Sequence, residues 1–217
     1  MAFQTEQEQF WFGDFGTEYA KRNSGEQWRR GVAAFWHKVL GGRADEIRSV
    51  IEFGANIGLN LLALRQLLPS AELSAVEINP YAAAELRRIP GVRVYHQSVL
   101  DFVPDHARDL VIVKGILIHL NPACLPQVYD LLYRTSQRCI CIAEYYNPFP
   151  TEVSYRGHAG RLFKRDFAGD LFERYPDMDL VDYGFVYHRD PTYVEDDTTW
   201  FLLAKNKGPA RPSNVMG

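Results

Sequence analysis

Two carboxylates and a glycine turn hold the most specific chemistry in this chain. Glu52 stands two residues before Gly54 in the stretch IEFGANIG, which ends at Gly58, and Glu77 closes a second apolar run, LSAVEIN. Glycines in a tight turn let backbone N–H groups come close to a ligand, and a helix start offers free N–H groups. A carboxylate at position 52 repels the pyrophosphate of a dinucleotide and attracts a cation, such as the ammonium and sulfonium of S-adenosylmethionine (SAM). The dinucleotide fingerprint also requires a second glycine two residues after the first; here that place is taken by Asn56. Glu77 suits hydrogen bonds to ribose hydroxyls, by the logic that places an acid at the same strand end in dinucleotide folds.

Further reactive groups fall at other apolar run ends. Lys114 and Gly115 end DLVIVKG, and His119 follows in ILIHLNP. A lysine at the end of a buried strand is not ordinary core. CICIAE runs into Glu144, Tyr145, Tyr146, Asn147 and Pro148, an acid, two phenols and an amide suited to orienting an acceptor or enclosing a sulfonium. Residues 149–166 carry Tyr155, Arg156, His158, Arg161, Lys164 and Arg165, a local basic cluster that fits a carboxylate or phosphate on a substrate. Near the N-terminus, Phe10, Trp11, Phe12, Phe15 and Tyr19 precede Arg22 and Asn23. That segment reads either as a hydrophobic cap on the sheet or as a lid presenting aromatic rings to a sulfonium.

The elements that must position these groups follow from periodicity. RSVIEF reads as a buried strand, and Leu61, Leu64 and Leu68 give helical spacing after the turn, until Pro69. Strand, glycine turn and helix open a nucleotide-binding α/β unit. Ser24 to Gln27 resembles a capping box before a helix lined by Trp28, Val32, Phe35, Trp36 and Val39. Asn79-Pro80 and Asn121-Pro122 each pair an N-cap with proline at the first helical position. VRVYH, DLVIVKG and CICIAE supply further strands, and MDLVDYGFVYH with TTWFLLAK forms an antiparallel closing pair. The expected fold is α/β, Rossmann-like: a mostly parallel seven-stranded sheet, helices on both faces, and one antiparallel pair.

The 217 residues suit one domain, with residues 1–25 as the aromatic cap and 206–217 as a loose tail. A hydrophobic fraction of 47% and a charged fraction of 24% fit a soluble globular chain. A net charge of −3 gives no bulk electrostatic case for nucleic acid. No apolar run spans a membrane and no secretory signal is visible. Cys124, Cys139 and Cys141 form neither a disulfide framework nor a zinc spacing, so a reducing cytoplasm and no structural metal are expected. Oligomeric state is not legible.

E-x-G-x-x-x-G with a second acid after one helix resembles the class I SAM-dependent methyltransferases. The phrases FWFGDFGTEYAKRN, VKGILIHLNP, AEYYNPFP, YRGHAGRLFKRDFAGDL and DDTTWFLLAK make the chain similar, from about Gln9 to Lys205, to the methylases associated with pseudaminic acid biosynthesis. The resemblance implies SAM as cofactor and a context of nonulosonic acid sugars. Glu52, Gly54, Asn56, Gly58 and Glu77 fall on its cofactor positions, with Asn60, Ile78, Ser98 and Val99 beside them. The class often has an acid after the third strand to meet the adenine amino group; here Ser98 stands there and Asp101 lies three residues on, so a hydroxyl or backbone contact is expected. The resemblance does not itself establish the acceptor; the expected activity is methyl transfer to oxygen or nitrogen of a small polar acceptor, an anionic, sugar-type one suiting the 155–165 basic cluster, with His119, Glu144, Tyr146, Asn147 and His158 as catalytic candidates. Tyr145, Tyr155, Arg156, Lys164 and Arg165 are expected on the substrate side. An alternative is cyclisation of SAM itself to azetidine-2-carboxylate and methylthioadenosine; a non-catalytic SAM-binding module ranks lower.

Overall fold

The computed structural model describes residues 2–22, 26–193 and 195–206. Asn23, the Ser24 and Gly25 of the expected cap, and most of the expected tail lie outside these residues. The chain begins with two short helices, α1 (Glu6–Phe12) and α2 (Asp14–Arg22), broken at Gly13, before α3 (Glu26–Leu40). The alternating unit follows: β1 (Ser49–Phe53), α4 (Leu59–Leu67), β2 (Glu72–Glu77), α5 (Pro80–Leu86), β3 (Val92–His96) and β4 (Arg108–Lys114). A 3-10 turn at Leu117–His119 leads to α6 (Leu125–Thr135) and β5 (Ser136–Glu144). A two-stranded hairpin, β6 (Thr151–Glu152) with β7 (Phe163–Lys164), precedes α7 (Phe167–Arg174), β8 (Met178–Val186) and β9 (Thr198–Lys205).

The main sheet has seven strands in the order β3-β2-β1-β4-β5-β9-β8. β1 through β5 pair in parallel, whereas β9 runs antiparallel between β5 and β8. This is the architecture expected from the sequence. Strand alternation splits the core into two layers. Val50, Leu73, Leu110 and Cys141 face the side of α3 and α4, and Ile51, Val76, Val111 and Ile140 face the side of α6 and α7. Both faces are covered, so the central strands are apolar nearly throughout, as buried parallel strands must be.

The strand order reverses between β1 and β4. In open α/β sheets this reversal opens a crevice at the carboxyl ends of the strands. Glu52 lies beside Ala75 of β2 and Ile112 of β4, one residue from the end of β1. Glu77, Lys114 and Glu144 are the last residues of β2, β4 and β5. The topology therefore gathers four charged strand-end groups at one rim. Among the described residues, no helix is long and apolar enough to cross a membrane.

Candidate functional site

A cavity of about 380 Å³ lies over this rim. Its floor is the turn after β1. Gly54 adopts φ +69°, and a Cβ there would stand 2.7 Å from Ile116 Cδ1, so only glycine fits without displacing a wall residue. Asn56 also has positive φ, at 50°, and tolerates it as asparagine does better than most residues. Gly58 is different. It caps α4 at φ +82°, and a Cβ would meet Ile89 at 2.5 Å and Leu86 at 2.7 Å. It permits helix packing and does not line the cavity, which corrects its expected contact with cofactor.

Glu52 is buried. Its Oε1 accepts Asn60 Nδ2 at 2.5 Å, and Asn60 Oδ1 in turn accepts the Trp36 indole N–H at 3.0 Å. Its Oε2 is buried with no partner. Burial pushes the carboxyl up to about 8, against the Asn60 bond and the nearby Lys114 charge. An unpartnered buried carboxylate oxygen is costly, and a ligand ammonium would satisfy it. Glu77 presents both oxygens to backbone: Oε2 accepts the N–H of Asn56 at 2.8 Å and Oε1 that of Asn79 at 2.7 Å. Burial raises its pKa too, with those N–H groups opposing. Each oxygen keeps a lone pair for a sugar hydroxyl.

Glu144 Oε1 accepts the N–H groups of Ile116 at 2.9 Å and Leu117 at 2.8 Å, anchoring the start of the 3-10 turn. Its Oε2 is buried without a partner, and burial lifts the carboxyl to about 7. His119 Nδ1 donates to the Arg161 carbonyl at 2.6 Å, which fixes the tautomer and leaves Nε2 as an acceptor. Desolvation lowers its pKa to about 4, so the ring is neutral at physiological pH. Lys114 Nζ pairs with Glu195 Oε1 at 3.0 Å.

The aromatic wall comes from two distant segments. Trp11 packs on Tyr19 (ring centroids 5.4 Å apart) and His119 (4.6 Å), and His119 packs on Tyr155 (4.8 Å). Tyr155 is aimed by a two-residue hairpin. It exchanges backbone bonds with His158 at 2.9 Å, while Arg156 and Gly157 take φ 49° and 85°. Two positive φ values in sequence are the signature of a type I′ turn. Tyr145 donates its hydroxyl to Asp196 at 2.7 Å.

Trp11, Tyr19, Glu52, Gly54, Asn56, Asn60, Glu77, Ile78, Ser98, Val99, Lys114 and Gly115 thus line the cavity, as do His119, Glu144, Tyr145, Tyr155 and Arg156. Other expected site residues do not. Phe15 sits behind the wall, stacked on Phe10 at 4.2 Å, and Arg22 lies exposed over the Tyr19 ring. His158 is exposed and packs on Phe10 and Phe15 from outside. Tyr146 is 42% exposed beside Phe201, since the chain turns away after β5. Asn147 spends its amide on that turn, donating to Phe149 O at 2.6 Å and Thr151 Oγ1 at 2.8 Å. Arg165 is bound to Asp170 at 2.8 Å, and Lys164 lies over the Tyr145 ring outside the cavity wall. The basic cluster therefore does not face the cavity as a group.

Sequence reasoning missed Gln7 and Glu8 of α1, Asn79, and the Glu195–Asp196 pair before β9, all of which line it. The run VEDD of acids signals a charged loop, yet nothing in its spacing points inward. Among the lining residues, Glu8, Glu52, Glu77, Glu144, Glu195 and Asp196 are acids, against Lys114 and Arg156 as lysine or arginine. A cationic ligand suits that balance.

No family model and no curated protein matches the chain in sequence. Solved structures do match in shape. The 1,6-didemethyltoxoflavin N1-methyltransferase of Burkholderia thailandensis, bound to 1,6-didemethyltoxoflavin and S-adenosylhomocysteine, is 16% identical with TM-score 0.70, covering 95% of this chain and 92% of its own. Magnesium protoporphyrin IX methyltransferase of Synechocystis PCC 6803, with bound S-adenosylhomocysteine (SAH), is 14% identical with TM-score 0.67 over 93% of this chain and 100% of its own. A plantazolicin methyltransferase, in complex with a desmethyl plantazolicin analogue and SAH, is 14% identical with TM-score 0.63 over 92% and 94%. With the strand order described above, these likenesses establish that the chain has the Rossmann-like fold of the class I SAM-dependent methyltransferases.

Proposed function

We propose that the protein is a SAM-dependent methyltransferase-like enzyme acting on oxygen or nitrogen of a small polar acceptor. The observation that carries this reading is the unpartnered Glu52 Oε2, buried in the cavity above the glycine turn. In this reading Glu52, held by Asn60, takes the cofactor ammonium, and Glu77 takes the ribose hydroxyls. Bound SAM would supply an electrophilic methyl group on sulfur, open to in-line displacement. Trp11, Tyr19 and Tyr155 would face the cationic sulfur with ring surfaces and exclude water. Glu144, with a free oxygen and a pKa near neutrality, is the best placed of the candidates to receive the acceptor's proton. His119, neutral but weakly basic, positions Trp11 and Tyr155. The N-terminal segment serves as a lid, and the acceptor enters past Arg156. The pseudaminic-acid resemblance suggests a sugar-type acceptor; with Lys164 and Arg165 outside the cavity, Arg156 is the cation left for an anionic group.

That same displacement of the basic cluster favours one second reading. A cavity walled by carboxylates and rings, with little to hold an anionic acceptor, also suits consumption of SAM alone to azetidine-2-carboxylate and methylthioadenosine. Incubation with SAM alone separates the two. Formation of methylthioadenosine without acceptor supports cyclisation, and SAH formed only when an acceptor is added supports methyl transfer. Absence of SAM binding removes both.

A further inference from the structure

The end of β3 has no carboxylate of its own in the cavity. Its lining residues are Gln97, Ser98 and Val99, and the nearby Asp101 is exposed and occupied by Gln4 Nε2 at 2.7 Å. An acid reaches this place from another element. Glu8 of α1 is 5% exposed and lines the cavity. Its Oε2 is used by the helix start, accepting the N–H of Gln4 at 2.6 Å and of Thr5 at 2.8 Å, one half of a capping box with Thr5. Its Oε1 accepts the Ser98 hydroxyl. Ser98 Oγ also accepts the Leu100 N–H at 3.0 Å, so its single proton is committed to Glu8. A capping box needs only one carboxylate oxygen. The other oxygen, Oε1, belongs to a buried side chain that lines the cavity and has a lone pair beyond the one Ser98 uses.

The proposed placement of the cofactor fixes what that lone pair meets. β1, β2 and β3 are successive neighbours in the sheet, about 4.8 Å apart. A nucleoside with its amino-acid arm at Glu52 and its ribose at Glu77 directs its base toward β3. Adenine offers an exocyclic N–H donor at position 6, and a carboxylate is an acceptor only. We propose that Glu8 Oε1 accepts the adenine amino group, so that base identity is read by the N-terminal helix and not by the loop after β3. This rests on the SAM reading above.

The test is titration calorimetry with SAH and with S-inosylhomocysteine, which has an oxo group in place of the amino group. The wild-type protein is expected to prefer SAH by about tenfold or more, because a site built to accept from a donor rejects an analogue lacking it. In Glu8→Gln the glutamine can still serve the capping box, but turns an amide N–H₂ toward the base; the preference should fall to about twofold or reverse. Ser98→Ala leaves Glu8 in place, and its preference for SAH should persist. Equal wild-type affinity for the two ligands, an undiminished preference in Glu8→Gln, or loss of preference in Ser98→Ala would each overturn the inference while leaving SAM binding intact. Wild-type protein that binds neither ligand overturns the SAM reading, and this inference with it.

Discussion

A carboxyl oxygen held inside a cavity without a partner is a debt that folding alone does not settle, and Glu52 Oε2 is such an atom. Its folded value of about 8 lies above the ordinary 4.5, and Glu144 rises in the same way to about 7. The folded chain therefore keeps protons that the unfolded chain has already released. Between the two values the native state binds more protons, so stability falls as pH rises. Thermal melts of the free protein should show the midpoint declining from about pH 5 to pH 8, and Glu52→Gln should flatten part of that decline. Ligand binding follows the opposite sign. An ammonium at Glu52 favours the carboxylate, so binding near pH 7 releases a proton and affinity climbs toward pH 8. Calorimetry in buffers of different ionisation enthalpy reads that proton directly; no proton release, or the same release in Glu52→Gln, would contradict the assignment. The identity of this residue was legible from its place before Gly54. Its protonation was not, because that depends on Asn60, Trp36 and Lys114 closing around it.

Two elements translate this chemistry into a shaped cavity. The turn after β1 depends on Gly54, whose positive φ and contact with Ile116 leave no place for a methyl group. Gly54→Ala should cost about 2 kcal/mol of stability from strained backbone alone, measured by urea unfolding, and should weaken SAM binding further. The second element is the α1–α2 pair, held over the cavity by Asn79. This residue caps α5 with its Oδ1, while its Nδ2 donates to Trp11 O at 3.0 Å and Phe12 O at 3.2 Å. Asn79→Ala removes both functions at once. Loss of the cap costs about 1 kcal/mol, and amide exchange across Glu6–Arg22 should accelerate while β1 and β4 stay protected; unchanged exchange there would show that other contacts hold the pair. The sequence announced Asn79 as an N-cap. It gave no sign that the other end of the same amide would tie down a helix 60-odd residues upstream.

At the scale of the molecule, local periodicity was enough to read the sheet. β1, β2, β4 and β5 are largely apolar runs with a charged residue at or beside their ends, Asn79-Pro80 opens α5 and Asn121-Pro122 precedes α6, so the succession of elements follows from the chain alone. The cavity walls were harder to read because they come from sequence-distant segments. Trp11 and Glu8 arrive from the N-terminus, Tyr155 through a tight hairpin in a stretch that looked irregular, and Glu195 from the loop before β9. Composition suggested that the basic residues of 149–166 would meet substrate; instead Arg165 pairs with Asp170, Lys164 lies over the Tyr145 ring, and His158 is exposed. His158→Ala should accordingly leave SAM affinity unchanged. The central claim is that this rim holds SAM with Glu52 at the ammonium end, and calorimetric titration of SAM into wild type and Glu52→Ala tests it most directly. The account predicts binding by the wild type and a loss of about 10- to 100-fold in the variant, the value of a hydrogen bond to a charged group. A folded Glu52→Ala protein that binds SAM with wild-type affinity would contradict it.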